Sequence, residues 1–370
     1  MEIAFGRRAP FSVGIEEEFQ LLHGESYELT SRFEELLEAA GGDERIKPEL
    51  MQSVVEVATP VAATVSEALE HARELRARLR DAAAERGLTI ASAGTHPFSR
   101  YEHQEITDAP RYRELIEAMR WVAERELIFG LHVHVGLDDA EEAIAVCRAL
   151  RTYLPELLAL SANSPFWHGR DTGLASTRIK VFDSFPRSGL PPAFESWDEF
   201  ERVVERGVRT RSFPDYTFLW WDLRPHPKLG TVEVRICDAV TRLETLDGIV
   251  ALVVSLVASL SARYRTGERL TPQPYTLVDE NKWRAARYGL GGDLIDLERD
   301  EERAAREAVA ALVEHAAPAA RRLGCAVQLE EIPRLCERGT GADEQRAVHA
   351  AGGSLLAVAQ WLAEQTVAGV

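Results

Sequence analysis

The chain has 370 residues, 45% of them hydrophobic and 28% charged, enough to bury a sizeable core. Its formal net charge of −17 excludes a protein that works on nucleic-acid backbones or anionic membranes through a basic surface, while a local basic pocket for a nucleotide stays open. No Pro-, Gly- or Ser-rich linker divides the sequence, so residues 1–370 read as one catalytic-sized domain, mainly helical from about residue 297.

Cys147, Cys237, Cys325 and Cys336 form no C-x-x-C pair and suggest neither a zinc site nor a disulfide framework. The amino terminus has no signal-peptide apolar region. The most apolar run, Ile249–Leu260, is interrupted by Ser255 and Ser259 and falls short of the roughly 20 residues that cross a bilayer, so a cytoplasmic location is expected.

In chain order, Phe11–Leu22 is the first strand. Side chains alternate faces along it, so Glu16 and Glu18 share one face while Ile15, Glu17 and Phe19 share the other. Two acids on a core-type strand call for a cation, unless this is an edge strand with a solvated face. Glu17 is expected to face solvent or a loop. A short helix around Ser31–Ala40 ends at Gly41-Gly42. Lys47–Pro60 then reads as a second strand carrying Glu56 between valines, and Glu49 joins that face only through a bulge or from an entry turn.

Thr64 with Glu67 forms a capping-box pattern that opens a helix to Gly87. Leu88–Gly94 is a third strand, and Pro110–Glu126 a second long helix. Ile128–Leu137 alternates throughout, placing His132 and His134 on one face. Asp138 or Asp139 caps a helix that runs to Leu160, and His168–Arg178 is a polar loop opening a short helix. Ser196 with Glu199 caps another helix. Tyr216–Arg224 and Thr231–Asp238 read as a β-hairpin whose second arm carries Glu233 and Arg235 on one face. The remainder is mainly helical, with three amphipathic helices after Leu297. The run Leu246–Leu260 and the alanine-rich C-terminal helices read equally as core or as interface, which leaves a homo-oligomer open.

Three strands thus carry an i, i+2 polar pair, with Glu56 on a fourth, as if on the polar face of one antiparallel sheet. Several carboxylates with one or two imidazoles suit Mg²⁺ or Mn²⁺, and divalent ions on carboxylates are a common way to hold a nucleotide triphosphate. The fixed positive charge that such a site needs could come from Arg235, Arg178 and the cluster Asn281, Lys282 and Arg284. Walker, G-x-S-x-G, H-E-x-x-H and G-x-G-x-x-G motifs are absent. Each residue also has a plainer reading: structural histidines, a simple Glu233–Arg235 ion pair, Trp220 and Trp221 in the core, Lys282 on an exposed helix face.

The segments Val13–Phe19, Glu49–Pro60, Gly130–Gly136, Ser161–Trp167, Asp171–Gly173, Ser176–Arg178, Thr231–Arg235 and Glu280–Gly289 together resemble the bacterial carboxylate-amine ligase family, also called glutamate-cysteine ligase type 2. The resemblance implies an α+β, glutamine-synthetase-like fold, in which a curved antiparallel sheet of about six strands is backed by helices and its open face is the active site. It further implies ATP and Mg²⁺ or Mn²⁺ as cofactors, with Glu16, Glu18, Glu49, Glu56, His132 and Glu233 as metal-binding positions. Arg235 would stabilise the transferred phosphoryl group, with Glu233 beside it, and Arg178, Asn281, Lys282 and Arg284 would contact nucleotide or substrate. The implied chemistry activates the γ-carboxylate of glutamate as an acyl phosphate, which the amine of cysteine attacks. The implied partners are these small molecules, with no nucleic acid and no membrane. Members of the family can be weak in that reaction, so the acid and the amine stay open. The alternatives are a phosphotransferase of the guanidino-kinase type and a non-catalytic nucleotide- or metabolite-binding module.

Overall fold

The structure is a computed structural model and describes residues 2–370. Seven strands form the main sheet: β1 (Val13–His23), β2 (Ile46–Pro48), β3 (Val54–Ala58), β4 (Leu88–Ala91), β5 (Gly130–Gly136), β6 (Leu223–His226) and β7 (Thr231–Asp238). Their order is β6-β7-β5-β1-β3-β2, with β4 pairing the C-terminal half of β1, and every pairing is antiparallel. The sheet has one strand more than expected because β1 is long enough to pair with β5 through Val13–Glu17 and with β4 through Gln20–His23.

Lys47–Pro60 is a hairpin rather than a single strand. Lys47 stands opposite Glu56 and Pro48 opposite Val55, and Glu49 enters the turn with its N–H donating to the Val54 carbonyl at 3.4 Å. Cross-strand partners share a face. The hairpin therefore brings Glu49 to the face of Glu56, although their separation along the chain is odd.

The helices that frame the sheet are α1 (Val65–Glu85), α2 (Pro110–Met119), α3 (Ala140–Leu150), α4 (Leu154–Ser161), α5 (Thr177–Phe182), α6 (Leu243–Arg265), α7 (Tyr275–Tyr288) and α8 (Ala305–Leu323). Thr64 caps α1, its hydroxyl accepting the Glu67 N–H. The expected helix Pro110–Glu126 stops at Met119, because Arg120 takes a positive φ of 51° and the chain restarts as one turn, Trp121–Glu124. Likewise Pro155 sits in the first turn of α4, where a proline fits, and separates it from α3. After Leu297 the helices number five rather than three, since Gly324, Gly339 and Gly353 break the pattern in the left-handed region.

The apolar side of the sheet is the core. Val13, Ile15, Leu131, Val133, Val135, Val232 and Val234 pack in one cluster with α6, and Phe19, Val55 and Val57 pack with Leu75 and Leu79 of α1. Helix α6 is long and apolar enough to cross a membrane by composition, but its most apolar 18-residue window is 83% buried inside the fold. Each buried Leu, Ile or Val there contributes about 1.5–3 kcal/mol over exposure. The run Leu246–Leu260 is therefore core.

Glu17 corrects the expectation from sequence. It points into this apolar layer, 2% exposed, and meets the fully buried Arg76 of α1, whose Nε donates to Glu17 Oε2 at 3.2 Å. The same guanidinium donates to the carbonyls of Val240 (2.9 Å), Thr241 (2.8 Å) and Thr366 (3.3 Å). A buried carboxylate is tolerated only when neutralised and hydrogen-bonded, and here one arginine also ties the sheet to the segment before α6 and to the C-terminal helix.

Candidate active site

The opposite face of the sheet is polar, and the register assembles it in cross-strand rows. Glu18 lies opposite Glu56, which lies opposite Lys47. Glu16 is next to His132. His134 stands between Gly14 and Glu233, and Glu233 faces Arg224. A cleft of 410 Å³ opens over these rows and is lined by Glu16, Glu18, Lys47, Glu49, Glu56, Arg111, Tyr112, Glu126, His132, Arg178, Trp220, Arg224, His226 and Arg235, among others.

The acids crowd on the β1–β3 side. Burial, followed by the charge of Glu18, pushes the Glu49 carboxyl up to about 7. Burial, with the charges of Glu16 and Glu49, holds Glu56 well above the usual carboxylate range, and Lys47 at 3.5 Å offsets this only in part. Glu18 Oε2 accepts the Gly130 N–H at 2.5 Å. Glu16 behaves oppositely. Burial works to raise it, but the charge of His134, the hydrogen bond with His132 and the close approach of His134 overcome burial and hold it well below the usual range. His132 Nδ1 lies 3.1 Å from Glu16 Oε2 and His134 Nε2 lies 3.4 Å from Glu16 Oε1.

On the β6–β7 side the charges are cationic. Glu233, 1% exposed, is gripped by Arg224, whose Nε donates to Oε2 at 2.6 Å, and by Arg235 through Oε1. Burial alone would raise Glu233, but these two guanidinium groups hold it well below the usual range. The grip leaves Nε of Arg235 buried without a partner beside the cleft. Arg178 is placed by a buried polar knot. Asp238 accepts from Asn163 N (2.9 Å), Ser164 Oγ (2.6 Å) and Ser176 Oγ (2.8 Å); Ser176 caps α5 and Ser164 Oγ accepts the Arg178 N–H. The Arg178 guanidinium donates to the Ile236 and Arg235 carbonyls, both at 3.3 Å, and its Nε has no partner. A side chain at Gly130 would collide with it.

A divalent cation fits this donor set. Glu16, His134 and Glu233 place one ligand atom each within 4.8 Å of one another, the one such group among the described residues. His134 Nε2 is a buried polar atom without a hydrogen-bond partner, and the Glu49 and Glu56 carboxyls are crowded together out of water. Oxygen ligands with an imidazole match Mg²⁺ or Mn²⁺.

Of the positions expected from sequence, Glu16, Glu18, Glu49, Glu56, His132, Arg178 and Arg235 line the cleft, with Glu233 directly behind it. Asn281, Lys282 and Arg284 do not line it, and each is engaged by other protein groups. The Asn281 side chain donates to the Ile295 carbonyl (2.9 Å) and accepts its N–H (2.7 Å). Lys282, 2% exposed, bridges Asp183 (2.8 Å) and Asp222 (2.7 Å), so it is not on an exposed face either. Arg284 pairs with Glu280 and Glu302. Sequence reasoning missed Arg224, Arg111 and Glu126. Arg224 was within reach, since a four-residue turn sets it opposite Glu233. Glu126 was hidden by the helix expected to run through it.

The chain and its fold match known proteins. The family model described as glutamate-cysteine ligase family 2 (GCS2) matches residues 12–360. A protein of Rubrobacter xylanophilus, provisionally named glutamate–cysteine ligase 2-3, is 48% identical over 99% of this chain and 100% of its own length. One of Sorangium cellulosum, provisionally named glutamate–cysteine ligase 2, is 44% identical over 97% of each. Among solved structures, the glutamate–cysteine ligase of Francisella tularensis in complex with AMP superposes with a TM-score of 0.71 at 14% identity, covering 100% of this chain and 90% of that one. A bifunctional glutathione synthetase of Pasteurella multocida gives 0.67 at 15% identity over 97% of this chain and 52% of that one. At such identities the likeness is one of fold, and it is the glutamine-synthetase-like α+β fold expected from the sequence. The chain belongs to glutamate-cysteine ligase family 2.

Proposed function

We propose that the protein is an ATP- and Mg²⁺-dependent carboxylate–amine ligase that works through an acyl phosphate, with glutamate and cysteine as its candidate acid and amine. The observation that carries this reading is the division of one cleft into a carboxylate-rich wall on β1–β3 and a guanidinium-rich wall on β6–β7.

A carboxylate is a poor electrophile until an oxygen becomes part of a phosphate leaving group. In this reading the γ-phosphoryl group of ATP passes to a substrate carboxylate oxygen, ADP leaves, and the amine then forms the C–N bond as phosphate departs. Bound divalent ions supply charge neutralisation on the phosphate oxygens. Glu16, Glu18, Glu49, Glu56 and Glu233, with His132 and His134, are the residues that would hold them. Arg235, whose Nε is free, would stabilise the transferred phosphoryl group, and Glu233, itself held by Arg224, fixes that guanidinium so that little reorganisation would be needed during transfer. Arg178, anchored on two carbonyls, is set to take a substrate carboxylate. The Francisella tularensis ligase of the same fold was solved in complex with AMP, which supports a nucleotide ligand for this chain.

ADP release measured across a panel of acids and amines tests the reading. ADP should appear only when acid, amine and Mg²⁺ are all present, and Arg235→Ala should lower turnover by about 10²–10³-fold with the fold retained by circular dichroism. Full turnover in a folded Arg235→Ala protein would remove the phosphoryl-stabilising role, and ADP formation without a condensed amide would replace ligation by phosphotransfer.

A further inference from the structure

A second cavity, of 290 Å³, lies apart from the cleft. Its lining is mixed: Leu260 of α6, Leu270, Leu294 and Leu312 of α8 supply apolar surface, and Glu156 of α4, Gln273, Asp296 and Arg303 are among the polar groups. Its volume is that of a small metabolite, at the low end of ligand pockets.

Glu156 is the anomaly. Its Oε2 is buried with no hydrogen-bond partner, a condition that costs free energy in an apolar setting unless something supplies a donor. Burial accordingly pushes the carboxyl up to about 7. Arg303 also lines the cavity, on the strand Glu301–Ala304, and stands 3.7 Å from Asp296 and 4.0 Å from Glu307, with no hydrogen bond to either. Of the other ionisable groups there, Arg263 pairs with Glu268, His315 bonds Ser259 at 3.2 Å, and Asp296 accepts the Glu298 and Arg299 N–H groups, while the Glu298 carboxylate also lines the cavity. One unsatisfied acid and one loosely held guanidinium thus share a small cavity, part leucine and part polar, without a hydrogen bond between them.

We propose that this cavity binds a small apolar amino acid as its zwitterion: the ammonium on Glu156, the carboxylate on Arg303, the side chain against Leu260, Leu270 and Leu312. The orphaned oxygen gains a charged donor, and the guanidinium gains an acceptor of matching shape. The site is independent of the ligase reading, because no residue of the cleft contributes to it.

Isothermal calorimetry on the full chain with L-leucine as probe tests it, with 4-methylpentanoate lacking the amine as comparator. One equivalent of L-leucine should bind more tightly than the comparator. Glu156→Gln should weaken binding by about tenfold or more, and Ala311→Leu, which fills the cavity while leaving Glu156 in place, should abolish it. Asp279→Asn, an exposed charge change on α7, and Arg235→Ala in the cleft should leave it intact. No binding up to about 10 mM, or binding indifferent to both Glu156→Gln and Ala311→Leu, overturns the proposal. Loss on Arg235→Ala alone would assign the leucine to the cleft and overturn it equally.

Discussion

Glu16, Glu17 and Glu18 are consecutive and chemically identical, yet the two faces of β1 give them opposite fates. Glu17 is sealed in the core and satisfied by Arg76, which has no exposure at all. Its neighbours look into a cleft where Glu16 is held by two histidines, while the charges of Glu16 and Glu18 add to burial in raising the proton affinity of Glu49 and Glu56. A carboxylate that brings its own counter-ion holds the fold together. Carboxylates left in like-charged company carry a cost that a bound cation would relieve.

Separating the two faces by mutation gives the largest expected effect on the structural side. Arg76→Ala strands Glu17 in the core and should cost about 3–5 kcal/mol in denaturant unfolding. Replacing both partners by apolar residues, Glu17→Leu with Arg76→Met, should recover most of that loss. A cost under about 1 kcal/mol for Arg76→Ala would mean that the pair behaves like a surface salt bridge and that the contrast between the faces fails.

On the site side the effect is smaller and depends on pH. The folded pKa of Glu49, about 7, lies above its ordinary value of 4.5, so between those values the folded protein keeps a proton that the unfolded chain has released. Stability should therefore fall as pH rises from about 4.5 to 7, by on the order of 3 kcal/mol at most, and change no further from this group above that window. Glu49→Gln should flatten the decline, and Mg²⁺, by stabilising the ionised form, should offset it. Thermal unfolding with and without Mg²⁺ reads both. A metal-independent profile would break the link between this wall and cations.

The smallest effect sharpens the comparison from outside. Thr64→Ala removes the cap of α1, the helix that presents Arg76, and should cost about 1 kcal/mol without altering Mg²⁺ binding by calorimetry. Weakened Mg²⁺ binding in that variant would show that the core side and the site side are coupled.

Much of the site was legible in the sequence because a strand has a period of two. The pairs Glu16/Glu18 and His132/His134 could be placed on common faces from their spacing alone. What was not legible involved partners set by register or by distant chain. Arg76 lies 59 residues from Glu17. Glu49 reaches Glu56 only because Lys47–Pro60 folds back as a hairpin. Glu126 is brought to the cleft by the left-handed Arg120, which stops the helix expected to continue. Asn281, Lys282 and Arg284 fall outside the cleft lining: an amide, an ammonium and a guanidinium look the same in sequence whether they face a cleft or bond to Ile295, Asp222 and Glu302.

By itself the sequence determined which residues could lie on a polar strand face, where the principal helices begin, and which family the chain resembles, since periodicity and capping are local. Only the tertiary structure decided which acids keep a private counter-ion and which share a cleft. That outcome depends on the dielectric and the company of each carboxylate, and both are set by segments far apart in the chain.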